Sequence, residues 1–153
     1  MNTPPVIQTP RTRWHSVLAW SIVAALAGLG CVVVPPYLLP GGNEHPAYGH
    51  PLIPWFAVAF ANLHFVPTMA LLFVLGIALG VAQPRRWLLL GCLAVSLPPV
   101  LNAINIIGDW TIDPTDHNLF PFEFAMLAFV SLPALPGAFL GSRIRHMIYA
   151  QAA

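Results

Sequence analysis

Apolar and polar positions alternate along this chain in long blocks, not at the short periods of an amphipathic helix or strand. Four runs, about 14–37, 54–82, 87–107 and 120–142, are almost wholly apolar. A helix needs about 20 such residues to cross the hydrocarbon core of a bilayer. The pattern therefore predicts an all-α, polytopic membrane protein with four transmembrane helices. The second run exceeds the required length, so it must tilt, kink or protrude, with Pro67 as the expected kink. Pro98 and Pro99 interrupt the third run, and Pro133 and Pro136 the fourth. Each proline withholds an amide from the carbonyl four residues earlier, which leaves Leu63, Ala94 or Val95, and Phe129 to find other partners in lipid.

The polar segments between the runs are short. Residues 1–13 carry Pro4, Pro5 and Pro10 and read as an irregular tail. Residues 38–53 and 108–119 read as loops, Gln83-Pro84-Arg85-Arg86 as a tight turn, and 143–153 as a second tail. The first run resembles a signal peptide, but it is too long for one and ends without a small-residue cleavage site, so it reads as a retained helix.

Charge orients the four spans. The basic residues are six arginines at 11, 13, 85, 86, 143 and 145; the five acids are Glu44, Asp109, Asp113, Asp116 and Glu123. Every arginine falls on one side of the ladder and every acid on the other. By the positive-inside rule both tails are cytoplasmic, and the expected location is a bacterial-type inner membrane. Only 7% of residues are charged, against roughly 25% in soluble domains, so a water-soluble surface is excluded. No basic patch interleaved with aromatics points to nucleic acid. Cys31 and Cys92 lie at different depths and are not expected to pair.

Glycines four apart allow helix backbones to approach closely. Gly76 and Gly80, with Gly137 and Gly141, place such steps near the arginine ends of spans two and four; Ala24 and Gly28 form a weaker one in span one. The bundle should be tight at that end and splayed at the other. The halves also share residues: Phe60-Ala61-Asn62-Leu63-His64-Phe65-Val66 and Phe124-Ala125-Met126-Leu127-Ala128-Phe129-Val130 have Phe, Ala, Leu, Phe and Val in common. A parallel two-hairpin repeat would account for this.

Polar residues within the spans gather toward the acidic side. Asn62 and His64 lie in span two, with Thr68 one turn on. Asn102, Asn105 and Asp109 share one face of span three, and Glu123 opens span four. Ionisable groups in a membrane often mark sites, so His64, Asn62, Asn102, Asn105, Asp109 and Glu123 form a candidate site, roofed by His45, His50, Asp113, Asp116 and His117. Such a set could ligate a metal, act as an acid–base pair, or hold a quinone or lipid headgroup. Each residue also has a structural alternative. The asparagines can be interhelical hydrogen-bond glue, Glu123 a favourable charge at a helix N-terminus, Asp109 an interfacial stop, and His64 a partner of Asn102 or Asn105.

No catalytic or cofactor motif appears, and the sequence specifies no cofactor. The leading expectation is an accessory or structural subunit, in contact with lipid and with other transmembrane helices in a hetero-complex or homo-oligomer. The alternative is a membrane-embedded enzyme or ligand-binding protein using the acidic-side layer. A homo-oligomeric channel or carrier ranks last, because the layer does not continue to the arginine side.

Overall fold

A computed structural model describes residues 10–39, 51–112 and 120–151. Among them there are only helices and no strand: α1 (Pro10–Leu38), α2 (Pro54–Ala61), α3 (Phe65–Ala82), α4 (Trp87–Ala94), α5 (Leu97–Trp110), α6 (Phe120–Ser131) and α7 (Ala134–Gln151), with one 3-10 turn at Pro84–Arg86. Four stretches are long and apolar enough to cross a membrane: Ser16–Leu38, Phe65–Ala82, Pro84–Trp110 and Pro121–Gln151.

The prolines explain why spans two, three and four are each two helices. A helix's first turn has no use for its N–H groups, so proline is best tolerated there, although α1 also carries Pro35 and Pro36 close to its C-terminal end. Each broken span restarts so that its proline falls in that turn. Pro67 lies in the first turn of α3, Pro98 and Pro99 in that of α5, and Pro136 in that of α7. The breaks therefore precede the prolines, at Asn62–His64, Val95–Ser96 and Leu132–Pro133. Local bonds close the gaps. Asn62 Nδ2 donates to Val58 O at 2.9 Å, and Ser96 Oγ to Leu93 O at 2.8 Å. The Phe129 carbonyl, expected to be released, accepts from Leu132 N at 3.2 Å.

Both tails are more helical than their composition suggests. Helix α1 starts at Pro10, inside the segment expected to be irregular, and proline is well suited to a first helical position. Helix α7 runs through Arg143 and Arg145 to Gln151. Two contacts support that extension: the Arg145 guanidinium lies 4.6 Å from the Tyr149 ring centroid, and its Nη2 donates to Tyr149 Oη at 2.6 Å. Two residues earlier Arg143 lies 5.1 Å from the Phe139 ring, whose edge-to-face partner is Trp87. Span three runs on to Trp110, three residues past the expected boundary, with Asp109 as the buried penultimate residue of α5.

Parallel pairs build the bundle. The most extensive interface is α3 against α7. Gly76 faces Ala134 O, Gly80 faces Ala138 O, Gly137 faces Phe73 O and Gly141 faces Ile77 O, so a Cβ on any of them would strike partner backbone. The two G-x-x-x-G steps thus interlock, as their spacing predicts, and their Cα–H groups point at carbonyls. Gly28 of α1 packs in the same way on Ala94 O, the carbonyl that Pro98 deprives of a helical donor. Around these crossings lie two apolar clusters, Ala24–Leu79–Leu90–Ala94 and Val32–Leu72–Val130–Ala134. Contacts among α2, α5 and α6 are sparse by comparison. Among the described residues the bundle packs more closely at the arginine end than at the acidic end.

Candidate functional site: the acidic end of the bundle

Helix α5 is amphipathic in the inverted sense. Asn102 and Asn105 are each 4% exposed and Asp109 5%, while Val100 and Ile107 on its other face are more than half exposed. In water this would be upside down. In lipid, polar groups gain by facing the bundle and apolar ones lose nothing by facing out. The three-and-four spacing in the sequence places all three polar residues on the buried face.

Their partners divide them. Asn105 is a clamp on the chain entering α2: its Oδ1 accepts from Ile53 N at 2.7 Å, and its Nδ2 donates to Ile53 O at 3.4 Å. Ile53 caps α2 without a side-chain cap of its own, so the amide of α5 supplies what the local sequence lacks. Asn102 instead reaches α6, where its Nδ2 donates to Glu123 Oε2 at 3.1 Å. Asn62 bonds back within α2 as a C-cap. A further tie joins Tyr37 Oη to Trp55 O at 2.7 Å, linking the ends of α1 and α2.

His64 stands apart from this network. It occupies the N-cap position of α3, in the break of span two. The expected bond to Asn102 or Asn105 is not made, because those amides go to Glu123 and Ile53. Its Nε2 and the Oγ1 of Thr68, one turn on, are buried without a hydrogen-bond partner among the described residues. Thr68 is fully buried. The candidate set is therefore dispersed: Asn102 with Glu123, Asn105 with Ile53, and His64 beside Thr68. Among the described residues no three His, Cys, Asp or Glu side chains gather as metal ligands do. His45, His50, Asp113, Asp116 and His117 lie outside the described residues. Cys31 and Cys92 are free thiols.

Sequence reasoning missed one feature. Between spans three and four lies a largely apolar crevice of about 460 Å³, lined by Val95, Pro99, Phe124, Ala128, Ser131, Leu132 and Leu135. Two of these, Val95 and Leu132, are break residues. On the arginine side α4 and α7 touch where Gly91 meets Leu135 and Ala138; beyond the breaks contact between α5 and α6 is sparser. Prolines in both spans were the available signal, but they do not say which way the halves bend.

The chain matches no known family, curated protein or solved structure in comparison with each. Fold and composition define its class: an all-helical protein with the four apolar spans of a multi-pass membrane protein.

Proposed function

We propose that the chain is an accessory or structural subunit of an inner-membrane complex, with its acidic end facing outward and its arginine end in the cytoplasm. The observation that carries this reading is where the polar groups at the acidic end are spent. Asn105, Asn102 and Tyr37 tie helix to helix, linking α5 to Ile53, α5 to α6, and α1 to α2. What the bundle offers outward is apolar and aromatic, including Phe122, Phe129, Trp55 and Trp110. Such surfaces suit lipid and other transmembrane helices, where packing rather than a hydrophobic driving force decides association.

The test is to isolate the native protein in mild detergent and identify the chains that copurify. A stoichiometric membrane partner, or a defined assembly of copies, is the expected result. A stable monomer with no copurifying chain rejects the subunit reading. A ligand-binding role has one specific observation behind it: the crevice between spans three and four, lined by Val95, Pro99, Phe124, Ala128, Ser131, Leu132 and Leu135.

A further inference from the structure

We propose that the arginine end of the bundle carries a site for one anionic phospholipid, its phosphate held by Arg86 and Arg143 with Arg85 beside them. This is independent of any protein partner. The starting point is a difference among the arginines. Arg145 is engaged on its own helix, where it stacks on Tyr149 and donates to the Tyr149 hydroxyl. The side chains of Arg85, Arg86 and Arg143 make no hydrogen bond or ion pair among the described residues. Arg86 is nonetheless half-buried, and a charge drawn out of water without a counter-charge is costly. Asp109 and Glu123, the acids among the described residues, lie at the far ends of spans three and four. A counter-charge for these guanidinium groups has to come from outside the described chain.

The fold brings the arginines together. The 3-10 turn Pro84–Arg86 packs against α7. Trp87, next to Arg86, meets the Phe139 ring edge-to-face at 5.3 Å, and the Arg143 guanidinium lies over that same ring at 5.1 Å. Arg86 and Arg143 are therefore fixed at one aromatic stack, not strung along a flexible tail. Holding a side chain in place before its ligand arrives lowers the entropy lost on binding.

Physical chemistry narrows the anion. A guanidinium presents parallel N–H donors that match the oxygens of a phosphate. Toward the middle of the spans, within about a turn of the arginines, come Leu88, Leu89, Phe139 and Leu140, each 42% exposed or more. Acyl chains cover such a strip, whereas a free phosphate makes no use of it. A zwitterionic ethanolamine headgroup would bring its ammonium to a place where the described residues offer no acid to receive it. A net negative glycerol headgroup brings only the charge that the arginines attract.

The experiment is intact-mass spectrometry of the full-length protein, released from detergent after incubation with equimolar phosphatidylglycerol and phosphatidylethanolamine. The expected result is one retained lipid per chain, with the glycerol lipid preferred at least about tenfold. An excess of inorganic phosphate should not displace it. Arg86→Gln and Arg143→Gln should each cut retention about fivefold, the factor that about 1 kcal/mol per arginine supplies. Arg145→Gln removes the same charge from the same end, but from a side chain spent on Tyr149, and should cut retention less than about twofold. Circular dichroism establishes that each variant is folded. Three results overturn the proposal: folded Arg86→Gln and Arg143→Gln variants that lose no more lipid than Arg145→Gln, as a diffuse positive field would give; equal retention of both lipids by the parent; or displacement of the lipid by inorganic phosphate.

Discussion

Thr68 shows what a single hydroxyl means inside this bundle. A threonine side chain in a helix can return its proton to a backbone carbonyl one turn back, and Ser21 does so, donating to Val17 O at 2.9 Å. Thr68 does not: the His64 carbonyl one turn back takes the Thr68 amide, and Oγ1 is buried without a hydrogen-bond partner among the described residues. An orphaned buried polar group costs about 1–3 kcal/mol. Valine has nearly the same shape and lacks the hydroxyl. Thr68→Val should therefore stabilise the bundle by about 1 kcal/mol, measured as resistance to unfolding by SDS in mixed micelles. A loss of 1 kcal/mol instead would mean that the hydroxyl is engaged in the native membrane. Asn105 is the opposite case. Both ends of its amide are used on the backbone of one residue, Ile53, so its burial costs little although it lies at a depth where polar groups are expensive.

At the scale of elements, glycine placement controls the packing. A Cβ at Gly76 would meet the backbone of Ala134 and Ala138, which cannot yield as a flexible side chain could. Gly30, on α1, has open space where its Cβ would stand. Alanine at the two positions should act in opposite directions. Gly76→Ala should destabilise by about 1–3 kcal/mol through overpacking, and Gly30→Ala should stabilise by up to about 1 kcal/mol through lower chain entropy and better helix propensity. The same micelle titration compares them, and equal effects would show that the α3–α7 contact is not glycine-dependent. This contrast also marks what can be read from the sequence. Spans and interlocking glycines are legible because their signals are local: a long apolar run, two glycines one turn apart. The inward face of α5 is legible for the same reason, from the spacing of Asn102, Asn105 and Asp109. The partners are not. Asn105 bonds Ile53 from the far side of the bundle, and no local pattern encodes that pairing. Break positions were displaced for a similar reason: a proline marks the turn where a helix restarts, not the residue where the previous one ends.

At the scale of the molecule, parallel pairing and charge together dictate a topology. Helices α3 and α7 run side by side in the same direction, as do α1 and α4, so the starts of α1 and α4 and the ends of α3 and α7 share one end. That end carries Arg85, Arg86, Arg143 and Arg145 along α7 and the 3-10 turn, with Arg11 and Arg13 in the opening turns of α1. Positive residues near short connections are retained on the cytoplasmic side during insertion, and acids contribute little to that choice. Both termini should therefore be cytoplasmic, with Thr111, just past α5, on the opposite side. The measurement is labelling of intact cells by a membrane-impermeant maleimide, in a background where Cys31 and Cys92 are replaced by alanine. Thr111→Cys should label without permeabilisation, and Gln151→Cys only after it. Labelling of Gln151→Cys in intact cells would invert the topology, and with it the side of the membrane on which Glu123 lies. The crevice itself would be unaffected, since its walls come from the prolines of spans three and four and not from the arginines that orient them.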